Sequence, residues 1–99
     1  MITCCIQYTL DPHAISAFEA YAKRWPPVVE RCGGKLVGYY LPKEGATNLS
    51  PALIDFASLA AYEEYQACLA EDPDARQNVA DVAAARAIVS ESRSFRRRA

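Results

Sequence analysis

Side chains able to orient a small organic ligand occur on two short segments of the sequence. Tyr8 belongs to a segment that alternates apolar and uncharged residues, and Tyr39 and Tyr40 close a second such segment. Phenol hydroxyls in the wall of an apolar cavity can fix an aromatic or enolic ligand through hydrogen bonds. The same side chains fit a hydrophobic core in which only the hydroxyl finds a partner. The sequence leaves pocket and core open for these three tyrosines.

Three other positions complete the candidate ligand site. Arg24 and Trp25 precede two consecutive prolines, and Asn48 lies in a polar loop. An arginine at the mouth of a pocket can hold a carboxylate through its planar guanidinium group. Arg24 equally fits a solvated surface, Trp25 an anchor in the core, and Asn48 a turn residue that caps its own backbone.

The remaining ionisable side chains predict no metal centre. His13 is the sole histidine, and it lies at the start of a predicted helix, where the helix dipole disfavours its cationic form. Without a carboxylate cluster beside it, it cannot complete a set of three or four ligands.

Asp55 interrupts an apolar strand and needs a partner. We expect an ion pair with Arg86 or with an arginine of the C-terminal tail.

Four cysteines occur in a chain without an evident secretory signal. Cys4 and Cys5 are neighbours on a predicted strand, so they point to opposite faces and cannot bind one metal together. With ordinary apolar content, the chain needs no disulfide framework. We therefore expect Cys4, Cys5, Cys32 and Cys68 to be reduced and to act as small hydrophobic side chains.

The first part of the chain predicts a strand, a helix and a sharp stop. Ile2–Leu10 alternates as a strand does, and Asp11-Pro12 fits the cap and first position of a helix. Pro26-Pro27 is expected to kink or break that helix, and Gly33-Gly34 to end it. The apolar stripe of the helix comprises Ile15, Phe18, Ala22, Trp25, Val28, Val29 and Cys32.

The second part predicts two strands, two helical stretches and a final strand. Lys35–Leu41 and Pro51–Phe56 read as strands, Ser58 caps a helix, Asp72-Pro73 starts another, and Ile88–Phe95 closes the order. One face of the first of these helices is marked by Leu59, Tyr62, Gln66 and Leu69, with Tyr65 beside it, and the second is expected to face inward with Val79, Val82 and Ala83.

This order predicts one α+β domain over residues 1–99, a ferredoxin-like βαββαβ unit. Right-handed crossovers give a four-stranded antiparallel sheet with its helices on one face. We expect Tyr, Leu, Val or Cys side chains on the other face, which then needs a partner. A second copy of the chain is the commonest solution, and two facing sheets make a dimeric α+β barrel.

Composition and motifs exclude several classes of function. Net charge is -1, and the arginines of the tail are not interleaved with aromatic residues, so we expect no nucleic-acid partner. No apolar run reaches the roughly 20 residues of a membrane span. No nucleophile elbow, phosphate loop, zinc spacing or dinucleotide fingerprint is present. We expect a cytoplasmic protein without cofactors.

An ordered set of short segments runs over nearly the whole chain. The segments are Tyr8-Thr9-Leu10 followed by Pro12, residues 33–39, Asn48, residues 56–62, Asp72-Pro73 and Glu91-Ser92-Arg93. In this set the chain resembles the NIPSNAP family. The resemblance implies a ferredoxin-like protomer within the dimeric α+β barrel proteins, a group that includes cofactor-free monooxygenases, isomerases and haem enzymes. Many members carry a glutamate and an arginine where this chain has Cys4 and Ile6, and a glycine where it has His13.

Two functions remain open on this basis. The first is a homodimeric barrel that binds a small, mainly apolar organic molecule between helices and sheet, with any catalysis a cofactor-independent proton transfer or oxygenation. The second is a non-catalytic interaction or structural module that acts through its dimer surface. A cavity of a few hundred cubic ångströms with convergent polar groups would favour the first, and solid packing the second.

Overall fold

The computed structural model describes residues 1–99 as an antiparallel sheet with three helices on one face. The elements, in chain order, are β1 (Ile2–Leu10), α1 (Ile15–Arg31), β2 (Lys35–Tyr39), β3 (Leu49–Phe56), α2 (Leu59–Glu71), α3 (Pro73–Ala84) and β4 (Ile88–Arg96). The strand order is β2-β3-β1-β4, which is the ferredoxin-like arrangement predicted from the sequence.

Alternation along the central strand β1 decides which residues meet the helices. Cys4, Ile6, Tyr8 and Leu10 are all buried, whereas the intervening residues are half-exposed. Because directly paired residues of antiparallel strands share a face, Ile54 opposite Cys4 and the other partners of this row join the same core. One row of β1 therefore forms the floor on which the helices pack.

The opposite sheet face, which we call the free face, is uncharged over most of its area. Its single charged row crosses one end of the sheet. The other rows carry small polar side chains on β1 and β4, and apolar ones on β3 and at Tyr40. The expectation of a broadly apolar surface is thus correct for only half of it. The uncharged rows are Cys5, Ser94, Leu53 and Gly38; Gln7, Ser92, Pro51 and Tyr40; Thr9, Ser90 and Leu49.

Asp55 belongs to the charged row and forms no ion pair, contrary to expectation. It lies directly opposite Thr3, whose hydroxyl donates a 2.6 Å hydrogen bond to Asp55 Oδ1. Of the predicted partners, Arg86 instead lines the cavity beside the helices, and no arginine of the C-terminal tail forms an ion pair with Asp55. Cross-strand register supplies a hydroxyl donor to Oδ1 at this position in place of a cation.

Helix α1 starts later than the sequence suggested. It begins at Ile15, with Ala14 and not Asp11 as the cap. The Asp11 carboxylate accepts a 2.8 Å hydrogen bond from the His13 amide, while the Asp11 amide donates to the Ala87 carbonyl at 2.8 Å. These bonds hold Asp11 at the start of a turn formed by Pro12 and His13. Aspartate side chains commonly bond to a nearby backbone amide in such a turn and then do not cap a helix.

The two prolines do not interrupt α1, which runs unbroken from Ile15 to Arg31. Each proline removes one amide donor, at a usual cost of about 3 kcal/mol within a helix. Trp25, Val28 and Val29, on either side of the prolines, are buried against the sheet. This burial holds the helix together across the Pro26-Pro27 step.

Two glycines stop α1 as predicted. Gly33 has a φ of 98°, and the Gly34 amide donates to the Val29 carbonyl at 2.9 Å, as in a Schellman motif. A Cβ at Gly34 would lie 2.9 Å from Val29 Cγ1 and 3.1 Å from Phe56. Only glycine therefore lets the chain leave the helix this close to the sheet.

The caps predicted for α2 and α3 are present. Ser58 Oγ accepts from the Ala61 amide, and Asp72 Oδ1 accepts from the Asp74 and Ala75 amides. Asp72 also receives two 2.7 Å hydrogen bonds from the Arg31 guanidinium, which lower its pKa to about 2. The junction between α2 and α3 is thereby tied to the end of α1.

A disulfide between Cys32 and Cys68 joins the same regions, so the expectation that all four cysteines are reduced is wrong for this pair. Cys32 caps α1 and Cys68 lies on α2. Helix packing brings their Cα atoms to 5.6 Å, within the range that a disulfide spans. Cys4 and Cys5 are free. Disulfides are typical of oxidising compartments, so this bond does not support the predicted cytoplasmic location, which stays a prediction.

Removal of this bond should destabilise the fold. A cross-link over 36 residues restricts the unfolded chain enough to contribute about 3–4 kcal/mol. We expect the double variant Cys32→Ala, Cys68→Ala to lose that amount in urea unfolding. A reducing agent should lower wild-type stability similarly and leave the variant unaffected, with Cys5→Ala as the control. Equal unfolding midpoints with and without reductant would contradict a structural role for the bond.

Candidate functional site

Aromatic side chains of β1, α1 and β2 form one continuous cluster beneath the first helix. The Tyr8 ring lies 5.0 Å from Phe18 and 6.0 Å from Tyr39, and Tyr21 meets Trp25 edge-on at 5.5 Å. Rings at such separations contribute packing energy beyond simple burial. The cluster is a rigid wall that separates α1 from the space under α2 and α3.

That space is a cavity of about 540 Å³ between the sheet and the helices. Its exposed lining residues lie on α3, on the turn after α3 and on β4, so the cavity opens between α3 and β4. Polar side chains on the wall are Gln66, Arg86, Glu91 and Arg93. The remaining wall is apolar or aromatic: Cys4, Ile6, Tyr8, Tyr21, Trp25, Tyr39, Ile54, Phe56, Tyr62, Tyr65, Leu69, Val79, Val82, Ala83 and Ile88.

A hydrogen-bonded group at one side of the cavity links α2 to β4. Tyr62 accepts hydrogen bonds from Gln66 Nε2 at 2.7 Å and from Arg93 Nη1 at 2.9 Å. Arg93 Nη2 in turn donates to Glu91 Oε2 at 3.2 Å. Glu91 and Arg93 reach the helices because they pair with Tyr8 and Ile6, on the buried row of β1.

The buried phenols that line the cavity are held neutral. Tyr8 and Tyr39 place their hydroxyl oxygens 3.5 Å apart. Burial raises the pKa of Tyr8, Tyr21, Tyr39 and Tyr65 above the ordinary value of about 10. At neutral pH these groups are hydrogen-bonding phenols, able to orient a ligand without contributing charge.

Trp25 adds a buried donor to the cavity wall. Its side chain is only 4% exposed, and its Nε1 atom makes no hydrogen bond within 3.5 Å, although its longer contact with the Tyr21 hydroxyl lowers the raised pKa of that phenol. An unpaired buried donor costs free energy, since it has lost its hydrogen bond to water. A ligand acceptor beside Trp25 would recover that energy.

Three of the six predicted site residues line the cavity, namely Tyr8, Trp25 and Tyr39. The structure places the other three elsewhere. Arg24 is exposed and pairs with Asp81 at 3.2 Å. Tyr40 lies on the free face, with its ring over Gly38.

Asn48 also lies away from the cavity. Its backbone carbonyl accepts a 2.7 Å hydrogen bond from the Leu10 amide, which fixes the loop before β3 to the end of β1.

His13 is exposed at the turn before α1. No group of three or more His, Cys, Asp or Glu side chains is placed to hold a metal ion. No helix is both long and apolar enough to cross a membrane.

Sequence reasoning did not single out Tyr62, Gln66, Glu91 and Arg93 as site residues. Tyr62 and Gln66 were predicted to mark one face of α2, which was the available signal for that helix. Glu91 and Arg93 stand two apart on β4 and therefore share a face, but nothing in the sequence shows that this face meets the helices. Leu59, predicted on the same face of α2, is largely exposed, and Val79, expected to face inward from α3, lies at the rim of the cavity.

The amino-acid sequence of this chain matches the family model for NIPSNAP over residues 4–99. The chain belongs to the NIPSNAP family. No curated protein matches this NIPSNAP chain.

Solved structures similar to this NIPSNAP protein support the fold. A NIPSNAP family protein with unknown function from Agrobacterium tumefaciens is 23% identical, with a TM-score of 0.86 over 100% of this chain and 88% of the other. An uncharacterised NIPSNAP-like domain protein from Burkholderia xenovorans is 19% identical, with a TM-score of 0.84 over 99% and 84%. A candidate antibiotic biosynthesis monooxygenase from Nitrosomonas europaea is 7% identical, with a TM-score of 0.76 over 99% and 98%.

The raised phenol pKa values predict how this NIPSNAP protein responds to alkali. Above pH 10 the unfolded chain releases phenolic protons that the folded chain retains, so stability falls as pH rises. We expect the 295 nm absorbance of Tyr8, Tyr21, Tyr39 and Tyr65 to increase only together with loss of the circular dichroism signal. Ionisation of these four residues near pH 10 in a chain that keeps its fold would contradict their burial.

Proposed function

We propose that this NIPSNAP protein binds a small, mainly apolar organic molecule in the cavity between the helices and the sheet. The observation that carries the proposal is a 540 Å³ space whose wall is aromatic and aliphatic, with a few polar groups on one side. Ligand pockets of soluble proteins commonly have this size and composition. Tyr8, Trp25 and Tyr39 are the predicted ligand contacts that the proposal retains.

The cavity favours this function over a purely structural module. A module that acts only through its outer surface needs no space of this size, and solid packing of the helices on the sheet would bury the apolar lining more fully. The protein keeps the space and surrounds it with phenols, one indole donor and an arginine–glutamate pair. Such walls suit recognition of a ligand.

Any reaction at this site would use the side chains of the cavity. The Glu91 carboxylate supports proton transfer from a bound molecule, whereas the buried phenols, whose pKa values are raised, would orient that molecule through hydrogen bonds. Resemblance in fold to the candidate monooxygenase from Nitrosomonas europaea makes oxygenation without a cofactor a second reaction class to test.

We also propose a homodimer formed through the free face. This face presents three uncharged rows with Leu49, Leu53 and Tyr40 at its apolar side. Small serine and threonine side chains on the rest of it allow a second sheet to approach closely. A homodimer of this kind is the barrel that the sequence predicts.

A ligand screen with a blocked-cavity variant tests the binding proposal. A ligand at 100 times its Kd should add about 2.7 kcal/mol of stability, raising Tm by roughly 10–20 °C for a domain of this size. Val79 is half-exposed at the cavity rim, so Val79→Trp should obstruct entry without overpacking the core. We expect this variant to lose the thermal shift.

Val89→Trp is the matched control, because Val89 is 67% exposed and does not line the cavity. It should respond to ligand as the wild type does. A broad library of aromatic and alicyclic compounds that produces no shift in the wild type would refute the proposal. So would a shift that survives Val79→Trp unchanged.

Sedimentation velocity tests the homodimer. We expect a particle of twice the 10.9 kDa chain mass at micromolar concentration. Leu53→Asp places an unpaired charge on the free face and should give monomers, because that charge would be desolvated in the interface. Leu59→Asp, on an exposed part of α2, is the control and should stay dimeric. A monomeric wild type would contradict the dimer.

A further inference from the structure

We propose that the cavity selects an uncharged ring compound with a carbonyl oxygen, and that the Tyr62 hydroxyl donates the recognising hydrogen bond. This inference rests on the proposed function, since it concerns the occupant of the same cavity. It adds the functional group of the ligand, a carbonyl oxygen, and the side chain that binds it, Tyr62.

The state of the Tyr62 hydroxyl is set by its neighbours. A phenol oxygen has two acceptor sites and one proton. Gln66 Nε2 and Arg93 Nη1 can only donate, at 2.7 and 2.9 Å, so they occupy the acceptor sites. The proton of Tyr62 has no acceptor in the protein, and the residue lines the cavity. Tyr62 is therefore arranged to donate to a ligand.

The neighbouring charges favour an uncharged acceptor over an anion. Arg93 is the cation nearest to the Tyr62 hydroxyl, and Glu91 Oε2 lies 3.2 Å from Arg93 Nη2. The two charges offset each other beside Tyr62, so a carboxylate placed there would also approach the negative charge of Glu91. Arg86, the other cation on the wall, is exposed in the turn after α3, where water screens its charge. A carbonyl oxygen accepts the same hydrogen bond without that repulsion.

A second donor points to the same ligand chemistry independently. The indole Nε1 of Trp25 is buried in the wall of the same cavity and makes no hydrogen bond within 3.5 Å, although its longer contact with the Tyr21 hydroxyl lowers the raised pKa of that phenol. The one carboxylate on the wall, Glu91, accepts from Arg93 through Oε2. The donors of Tyr62 and Trp25 are complementary to carbonyl oxygens in an otherwise apolar molecule.

The probes are 9-fluorenone and fluorene, planar ring compounds that differ by one carbonyl in place of a methylene. Loss of one neutral hydrogen bond, either from the ligand or from the protein, corresponds to about tenfold in affinity. We expect wild-type protein to bind fluorenone at least about tenfold more tightly than fluorene. Tyr62→Phe should weaken fluorenone about tenfold and leave fluorene unchanged.

Tyr40→Phe is the matched control, because it removes a hydroxyl from the free face and should alter neither affinity. An infrared measurement provides a readout that packing alone does not move. The carbonyl stretch of bound fluorenone should lie at lower frequency in the wild type than in Tyr62→Phe, since a hydrogen bond to the oxygen weakens the C=O bond.

The outcomes separate this inference from the proposed function. If fluorenone and fluorene bind equally and Tyr62→Phe changes neither, the carbonyl inference is wrong while ligand binding in the cavity stands. If fluorene-9-carboxylate binds more tightly than fluorenone, the site selects an anion and the inference is again wrong. If Val79→Trp leaves the binding of all three compounds unchanged, they bind outside the cavity, and the failure is that of the proposed function.

Discussion

The packing of α1 onto the buried row of β1 is the constraint on which the remaining architecture depends. Tyr8 stands at the centre of that row and meets Phe18 and Tyr21 from the helix and Tyr39 from β2. Large, rigid rings hold α1 close to this half of the sheet. The shorter helices α2 and α3 cover the other half less completely, and the cavity is the space that they leave.

The sequence predicted the elements well where a periodic pattern and its punctuation agreed. Strand β1 was predicted at its observed bounds, and the caps of α2 and α3 at Ser58 and Asp72. Predictions failed where tertiary contacts override a local preference. Asp11 uses its carboxylate in a turn because its backbone is already bonded to Ala87, and the helix continues through Pro26-Pro27 because its apolar face is buried.

The candidate site was predictable in its aromatic half and not in its polar half. Tyr8, Trp25 and Tyr39 could be predicted as site residues because they are aromatic and lie on elements whose buried face follows from the apolar periodicity. The bond from Arg93 to Tyr62 joins positions 31 residues apart and depends on the register of an edge strand. The Cys32–Cys68 bond is similar, because only the packed helices show that these two of four cysteines are adjacent. Local patterns contain no information on such pairings.

Pairing of β1 with β4 has a consequence for the order of events during folding. Thr3 lies opposite Arg96, so this ladder joins residues from almost the two extremes of the chain and requires closure of nearly the largest possible loop. Glu91 and Arg93 arrive at the cavity only with that closure. An intermediate that has β1, α1, β2 and β3 in place would already contain the rings of Tyr8, Phe18, Tyr21 and Tyr39, yet it would lack Glu91 and Arg93. The charged side of the cavity is therefore complete only in a fully assembled protomer.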